Sequence, residues 1–150
     1  MLRASSRRRV RTEVEPMNDY GIRIKVPLPH GEALARTKEA LQAEGFGVLS
    51  EIDMAGKLKE KLGVDYKRYV ILGACNPPLA YKALLAEPEV GLLLPCNVIV
   101  YDGDDGSTVV SAIDPESMLG VVGENAAMAE VARDARARLE RAISAIGRSR

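Results

Sequence analysis

A long amphipathic helix at the end of the chain constrains the fold more than any other segment. It is predicted to run from about Glu124 to Ile146, with Arg and Glu side chains opposite its apolar stripe. The stripe consists of Met128, Val131, Ala132, Ala135, Leu139, Ala142, Ile143 and Ile146. Because a helix of this kind must bury its apolar face against another layer of structure, the rest of the chain has to supply that layer.

Alternating and continuous apolar runs predict the elements of that layer. Strands are expected at 20–26, 46–53, 66–75, 92–101 and 107–113, and helices at 31–45, at 54–62 and from Asn76 to Pro88. Pro95 interrupts the fourth strand, so its ladder should begin near Cys96. On strand 46–53, we expect one face to carry Phe46, Val48, Ser50 and Ile52 and the other to carry Gly47, Leu49, Glu51 and Asp53. The buried stripe of the helix after Asn76 is expected to consist of Ala80, Ala83 and Leu84.

This order of elements predicts an α+β fold. Strand, helix, several strands and a final helix lack the strict alternation of a parallel α/β protein. A mostly antiparallel sheet, covered on one face by two long helices, is the simplest arrangement that buries the stripes. The chain of 150 residues is long enough for one domain, which we place at 17–150.

The first 16 residues differ in composition from the rest. Their five arginines, opposed only by Glu13 and Glu15, give this tail a net charge of +3, and residues 17–150 then carry −3, so the formal charge of zero is an average. We interpret residues 1–16 as a disordered basic tail or, since Met17 leads directly into a strand, as the product of a misassigned start. No window approaches ~18 consecutive apolar residues, and no secretory signal is recognisable. With two cysteines, these features predict a cytoplasmic protein with reduced thiols.

Several common functional motifs are excluded. The Gly45-Phe46-Gly47 run precedes a strand, so it does not have the context of a dinucleotide-binding loop. The single histidine, His30, lies in a Pro-His-Gly turn, and no second histidine exists to build a His-rich zinc site. The acidic DGDDG run at 102–106 starts like a calcium loop, but Ile113 occupies the position that needs a glutamate. We interpret the run as a hairpin turn.

The two cysteines are the most informative feature. Each lies at the end of a predicted strand and precedes an asparagine, in Cys75-Asn76-Pro77 and in Pro95-Cys96-Asn97. If the two strands are antiparallel neighbours, both thiols lie at the same end of the sheet. A close thiol pair could act as a redox couple or as part of a soft-metal site. From the spacing alone, two small buried hydrophobic side chains are the more common outcome.

A second group of candidates is acidic and basic. Glu51 and Asp53 share one face of a strand, and Lys61 follows on the next helix. Two carboxylates near a lysine could transfer protons or hold a cation. Asp53 and Asn76 could instead have structural roles, because both precede predicted helices and can cap them.

The motifs together resemble those of the prokaryotic family of domain of unknown function 302. The resemblance spans about 20–146 and rests on Gly45 to Leu49, Glu51 to Asp53, Leu58 to Gly63, Tyr69 to Pro77 and Leu92 to Val98. It implies a TATA-binding-protein-like fold of type β-α-β(4)-α and a homodimer, and it supplies no activity or cofactor. It does not imply nucleic-acid binding, because the domain is net acidic and fold alone does not define function.

Three hypotheses follow. The leading one is a cytoplasmic homodimeric domain with a small polar pocket that binds a small ligand or carries out thiol-dependent chemistry. Its candidate pocket residues are Glu51, Asp53, Lys61, Cys75, Asn76, Cys96 and Asn97. The second is a non-catalytic homodimeric interaction or scaffold domain with structural cysteines. The third is a metal-binding module. None of them requires nucleic acid, a membrane or a known cofactor.

Overall fold

The computed structural model describes residues 20–148. The basic tail expected over residues 1–16 lies outside this range. Within it, the fold is an antiparallel five-stranded sheet with helices packed on it, which confirms the predicted α+β class. The sheet order is β1-β5-β4-β3-β2, so the first and second strands form its two edges. The strands are β1 (Gly21–Val26), β2 (Gly47–Asp53), β3 (Tyr69–Cys75), β4 (Cys96–Asp102) and β5 (Thr108–Ile113).

Five α-helices connect and cover the strands. They are α1 (His30–Ala43), α2 (Met54–Leu62), α3 (Pro77–Ala86), α4 (Pro115–Leu119) and α5 (Ala126–Arg148). Two short 3₁₀ helices, at Pro88–Leu93 and Gly120–Val122, complete the described elements. Between residues 20 and 148, no helix has the length and apolar character needed to cross a membrane.

The main core lies between one face of the sheet and the two long helices. Ile24 of β1, Leu72 of β3 and Val98 of β4 are fully buried on that face. Leu41 of α1 and the second half of α5 pack against them. All eight residues predicted for the apolar stripe of α5 are buried, because the period of the helix keeps them on one side.

The first half of α5 extends past the sheet into a second apolar cluster. Met128, Val131, Ala132 and Ala135 pack there with residues of α3, the 3₁₀ helix at 88–93 and α4. The helix α5 therefore belongs to both cores and joins them. Between the two cores lies the end of the sheet at which β3 stops and β4 starts.

A β-bulge in β2 corrects the expected faces of that strand. Val48 is opposite Ala74, whereas Ser50 is opposite Gly73, so one extra residue interrupts the pairing. An extra residue shifts the alternation that follows it. As a result, Glu51 and Asp53 share a face with Val48, and Ser50 and Ile52 point to the other side of the sheet.

Three local expectations were also wrong. His30 is not in a turn: α1 starts at this residue, which is 7% exposed, and its ring Nε2 lies 3.1 Å from the carbonyl oxygen of Val100. Leu84 is 43% exposed, because α3 directs Leu79 and Ala83, four residues apart, into the core. Residues 92–95 are not in a strand; β4 begins at Cys96, as Pro95 indicated.

We predict that Leu139→Ala lowers the free energy of unfolding by ~2–5 kcal/mol, because the cavity is left at a fully buried position between α5 and the sheet. Leu92→Ala is the matched control, since Leu92 is 83% exposed and should change stability by less than ~0.5 kcal/mol. Urea denaturation followed by circular dichroism measures both. Equal losses in the two variants would contradict this packing.

Candidate functional site

The register of β3 and β4 brings the two cysteines to one end of the sheet. Cys75 is the last residue of β3, Cys96 is the first of β4, and Ala74 lies directly opposite Cys96. Both thiols are free. Cys96 is 8% exposed, whereas Cys75 is half-buried. The two sulfur atoms therefore differ in their access to solvent.

Both cysteines line a small recess between the two cores, which we call the thiol recess. Its free volume is about 30 Å³. Apart from Cys75, Cys96 and Asn76, its lining is apolar. The lining residues are Phe46, Ala74, Cys75, Asn76, Leu79, Ala80, Ala83, Leu94, Pro95, Cys96, Pro115, Leu119, Val131 and Ala135. The recess is thus roughly the size of one water molecule.

Asn76 has a structural role at the edge of this recess. Its side-chain Oδ1 accepts a hydrogen bond from the Leu79 amide at 3.2 Å, which caps the N-terminus of α3. Its Nδ2 donates to the carbonyl oxygen of Glu44 at 3.5 Å. These two bonds satisfy a residue that is only 7% exposed, as a buried amide requires.

The charged candidates lie away from the thiol recess, on the exposed surface. Asp53 caps α2, since its Oδ1 accepts from the Gly56 amide at 3.0 Å. The Oε1 of Glu51 is 2.9 Å from the Nζ of Lys38 in an ion pair with α1. Lys61 is exposed on α2. The structure therefore does not bring these three side chains into the recess with Cys75 and Cys96.

Asn97 is also outside the recess. It is exposed on β4 and pairs with Gly73 of β3, on the face of the sheet opposite Cys96. The described residues also lack a metal-binding group. In residues 20–148, no group of three or more His, Cys, Asp or Glu side chains is placed to hold a metal ion.

The second face of the sheet is a feature that the sequence interpretation missed. Its side chains alternate with the core residues and point away from α1 and α5. We call it the open face, and its apolar members are Ile52, Tyr69, Ile71, Ile99, Tyr101, Val109 and Ile113. Ile52 is exposed, Val109 is buried, and the other five are half-buried. The alternation of side chains on 69–75 and 96–102 is a signal for this second face, but the continuous apolar runs of both strands resemble those of a strand buried on both faces.

Three tyrosines form a cluster at one corner of the open face. The rings of Tyr69 and Tyr101 stack with centroids 5.3 Å apart, and the ring of Tyr66 lies 6.2 Å from that of Tyr69. The Nζ of Lys67 is 5.4 Å from the Tyr101 centroid. Burial, and then the nearby phenols of Tyr101, Tyr66 and Tyr20, raise the pKa of Tyr69 above its ordinary value. The Tyr69 hydroxyl is therefore a neutral hydrogen-bonding group near neutral pH.

Comparison with known proteins identifies the family. The family model described as "Domain of unknown function DUF302" matches residues 22–146. The chain belongs to the DUF302 family. A solved structure of an uncharacterized conserved DUF302 protein from Bacillus stearothermophilus is 33% identical, with a TM-score of 0.77. The similarity covers 84% of this chain and 97% of that one. The resemblance inferred from the motifs is confirmed.

A curated relative from Aquifex aeolicus (strain VF5), described as an uncharacterized protein, is more distant. It is 28% identical over 87 residues, which make up 58% of this chain. The match spans about half of the relative's length, 54%.

The electrostatics of the thiol recess in this DUF302 domain disfavour thiolate formation. Burial raises the pKa of Cys75 above its ordinary value. Burial, and then the neighbouring Cys75, raise the pKa of Cys96 to about 11. A nucleophilic cysteine needs the opposite shift, because the thiolate is the reactive form. At neutral pH both thiols are protonated.

We predict that Asn76→Ala lowers the free energy of unfolding by ~1–2 kcal/mol, because it removes a helix cap and leaves the Leu79 amide unpaired. Asn97→Ala is the matched control and should stay within ~0.5 kcal/mol, since Asn97 is exposed. Denaturant titration of the two variants measures the difference. A loss at Asn97 as large as that at Asn76 would contradict the capping role.

We also predict a slow and pH-dependent reaction of the native thiols with an aromatic disulfide reagent. Half-buried Cys75 should react more slowly at pH 7 than glutathione does, and its rate should rise about tenfold per pH unit up to pH 9, because the thiolate fraction grows while pH is below the raised pKa. Cys96 should react only in denaturant. The Cys96→Ala variant assigns the native phase to Cys75. A native thiol faster than glutathione at pH 7 would contradict the raised pKa values.

Proposed function

We propose that this DUF302 domain is a non-catalytic interaction domain that forms a homodimer through the open face of its sheet. The observation that carries the proposal is the one-sided cover of the sheet. Both long helices pack on one face, and the other face presents six large, solvent-accessible apolar side chains that belong to neither core. Contiguous apolar surface of this kind is typical of protein interfaces.

The roles of the candidate residues favour a structural rather than a catalytic account. Asp53 and Asn76 cap helices, and Glu51 pairs with Lys38. Cys75 and Cys96 are protonated thiols in an apolar recess. Each of these residues thus has a role in holding the fold, and none of them needs a substrate to account for its position.

The composition of the open face fits a protein partner. Tyr69 and Tyr101 at its centre strands combine large apolar area with a polar hydroxyl, and tyrosine is enriched where interfaces contribute most affinity. Ile71 and Ile99 lie beside them on the same two strands. The pairing of these two strands places the four side chains in one contiguous patch.

The dimensions of the open face allow a second copy to cover it. Five strands of six or seven residues span roughly 20 Å by 20 Å between backbone atoms, from ~3.3 Å per residue and ~4.8 Å between strands. The flat patch is therefore about 400 Å², half the ~800 Å² per partner of a standard interface, so neighbouring loops would contribute the remaining contact. A two-fold axis parallel to the strands would place β1 of one protomer over β2 of the other.

The edges of the sheet are less suited to association than its face. The bulge between Val48 and Ser50 interrupts β2, and Glu51 and Asp53 add charge to the same edge strand. Bulges and charges on edge strands prevent pairing with another sheet. The expected dimer is therefore packed face to face rather than extended edge to edge.

Local charge pairing favours a protein partner over a nucleic acid. Three basic side chains near the tyrosine cluster lie close to carboxylates of the 102–105 turn: Lys25 to Asp105 at 3.6 Å, Lys67 to Asp104 at 3.9 Å and Arg68 to Asp102 at 2.9 Å. Phosphate binding depends on cations that are available to the backbone. Here the carboxylates of the 102–105 turn neutralise the three basic side chains.

We predict that Ile71→Lys weakens the dimer by at least about 30-fold, since an unpaired charge buried at an interface costs about as much as losing a hot spot, ~2 kcal/mol. Tyr101→Ala should weaken it in the same direction. Leu92→Lys is the matched control, because Leu92 is exposed on the 3₁₀ helix at 88–93, outside the open face. Sedimentation equilibrium measures the dissociation constants, and circular dichroism confirms that each variant is folded.

Two results would refute the proposal. A wild-type protein that is monomeric at ~100 μM would exclude a dimer of useful affinity at ordinary concentrations. A dimer that survives Ile71→Lys and Tyr101→Ala but dissociates in Leu92→Lys would place the interface at the 3₁₀ helix at 88–93 instead of the open face.

A further inference from the structure

The helix α2 and the loop that follows it, residues 54–66, form a segment that we call the α2 arm. Its large apolar side chains are those of Met54, Leu58, Leu62, Val64 and Tyr66. The first three recur every fourth residue, which is the spacing of an amphipathic helix, yet none of the nine residues of α2 is buried. Leu62 is 69% exposed and Tyr66 is 50% exposed. An apolar stripe normally packs on another element, so this one offers a surface to a partner.

The shape of the α2 arm is set by contacts within the arm and its cap. Asp53 caps the start of the helix, and Gly63 ends it in the left-handed conformation, with φ 68°. The Gly63 amide donates to the carbonyl oxygen of Lys59 at 2.9 Å. The Nζ of Lys59 is also 2.9 Å from Oδ1 of Asp65, which ties the loop to the helix. A segment that is already shaped in this way loses less conformational entropy when it binds.

The α2 arm adjoins the open face at both of its ends. At the start of the arm, Ile52 of the open face precedes Met54 by two residues. At its end, the ring of Tyr66 lies 6.2 Å from the ring of Tyr69 on the open face. Between these two points, α2 packs along β3, the strand that carries Tyr69. A partner that covers the open face therefore meets the arm as well.

The area of the open face leaves a deficit that the arm can fill. The flat patch offers about 400 Å², against ~800 Å² per partner in a standard interface. One side of a nine-residue helix is ~14 Å long and ~10 Å wide, which gives ~140 Å². In a two-fold dimer each protomer gains this area twice, once from its own arm and once where the partner's arm lies on it. The two arms therefore add about 300 Å² per partner, which is most of the missing contact.

We propose that the α2 arm of each protomer packs on the second copy, and that the two arms complete the dimer interface. This inference rests on the proposed face-to-face dimer. The occupant is a second copy because the arm is continuous with the open face, and because two-fold symmetry gives each arm an equivalent place on the other protomer. In the dimer the exposed side chains of Leu62 and Tyr66 become buried.

The test is the dissociation constant of the full-length Leu62→Lys variant, measured by sedimentation equilibrium. The dimer should weaken at least about fivefold, the lower limit for an interface residue that contributes to affinity. Leu85→Lys is the matched control, because Leu85 is 68% exposed on α3, outside both the open face and the arm. It should stay within about twofold of the wild type. Since Leu62 is exposed, its replacement leaves the core intact, and circular dichroism checks the fold of both variants.

Comparison with Ile71→Lys separates this inference from the proposed function. If Ile71→Lys weakens the dimer whereas Leu62→Lys and Leu85→Lys do not, the open face remains the interface and the role of the arm is refuted. Equal weakening by Leu62→Lys and Leu85→Lys would also refute it, because the effect would then follow from any added surface charge. A wild-type protein that is monomeric at ~100 μM would refute the dimer and the arm together.

Hydrogen exchange of the wild-type protein gives a second readout that needs no variant. Amides of the arm should exchange at least about threefold more slowly above the dimer dissociation constant than below it, because burial of the arm stabilises it against local opening. Amides of α3 are the control and should exchange equally at both concentrations. Equal exchange of the arm at the two concentrations, in a protein shown to dimerise, would overturn the proposal.

Discussion

The packing of α5 is the interaction on which the rest of the structure depends. Its second half, through Leu139, Ile143 and Ile146, closes the core against the sheet. Its first half, through Met128 and Val131, holds α3, α4 and the 3₁₀ helix at 88–93 in a second cluster. Since α5 belongs to both cores, the second cluster is held in a fixed position relative to the strands. Loss of that helix would expose both apolar surfaces at once.

Two functional consequences follow from this arrangement. Because α5 and α1 occupy one face of the sheet, no helix among residues 20–148 covers the open face, and a second copy is the partner we propose for it. Because α5 crosses from one core to the other, a small gap remains where they meet, and Cys75 and Cys96 border it. The mostly apolar residues around that gap keep water from the sulfur atoms, and this burial raises the pKa of both thiols. The open face and the thiol recess therefore both result from the way α5 packs.

Features that depend on a repeating hydrophobic pattern could be predicted from the sequence. Features that depend on a single residue could not. The stripe of α5 was correct at every position. Both cysteines were expected at one end of the sheet if their strands were antiparallel neighbours, and β3 and β4 are. The bulge in β2 has no signal in composition, since it depends on one unpaired residue, and it reversed the expected face of Glu51 and Asp53. Helix α4 is absent from the predicted elements although the sequence holds a signal for it, because Asp114 caps it and Pro115 suits its first turn. Tertiary contacts decide the rest: His30 lies within hydrogen-bond distance of a carbonyl seventy residues away, which no local pattern encodes.

The central claim is that the uncovered face of the sheet is the surface through which this domain recognises a second copy. Isotope-filtered nuclear Overhauser spectroscopy on a mixture of labelled and unlabelled protein tests it most directly, because only contacts between protomers give signals. The account predicts cross-peaks from the rings of Tyr69 and Tyr101 in one protomer to the methyl groups of Ile52, Ile71, Ile99 or Ile113 in the other. Intermolecular cross-peaks confined to Leu85, Leu92 or Val121, which are exposed outside the open face, would contradict it.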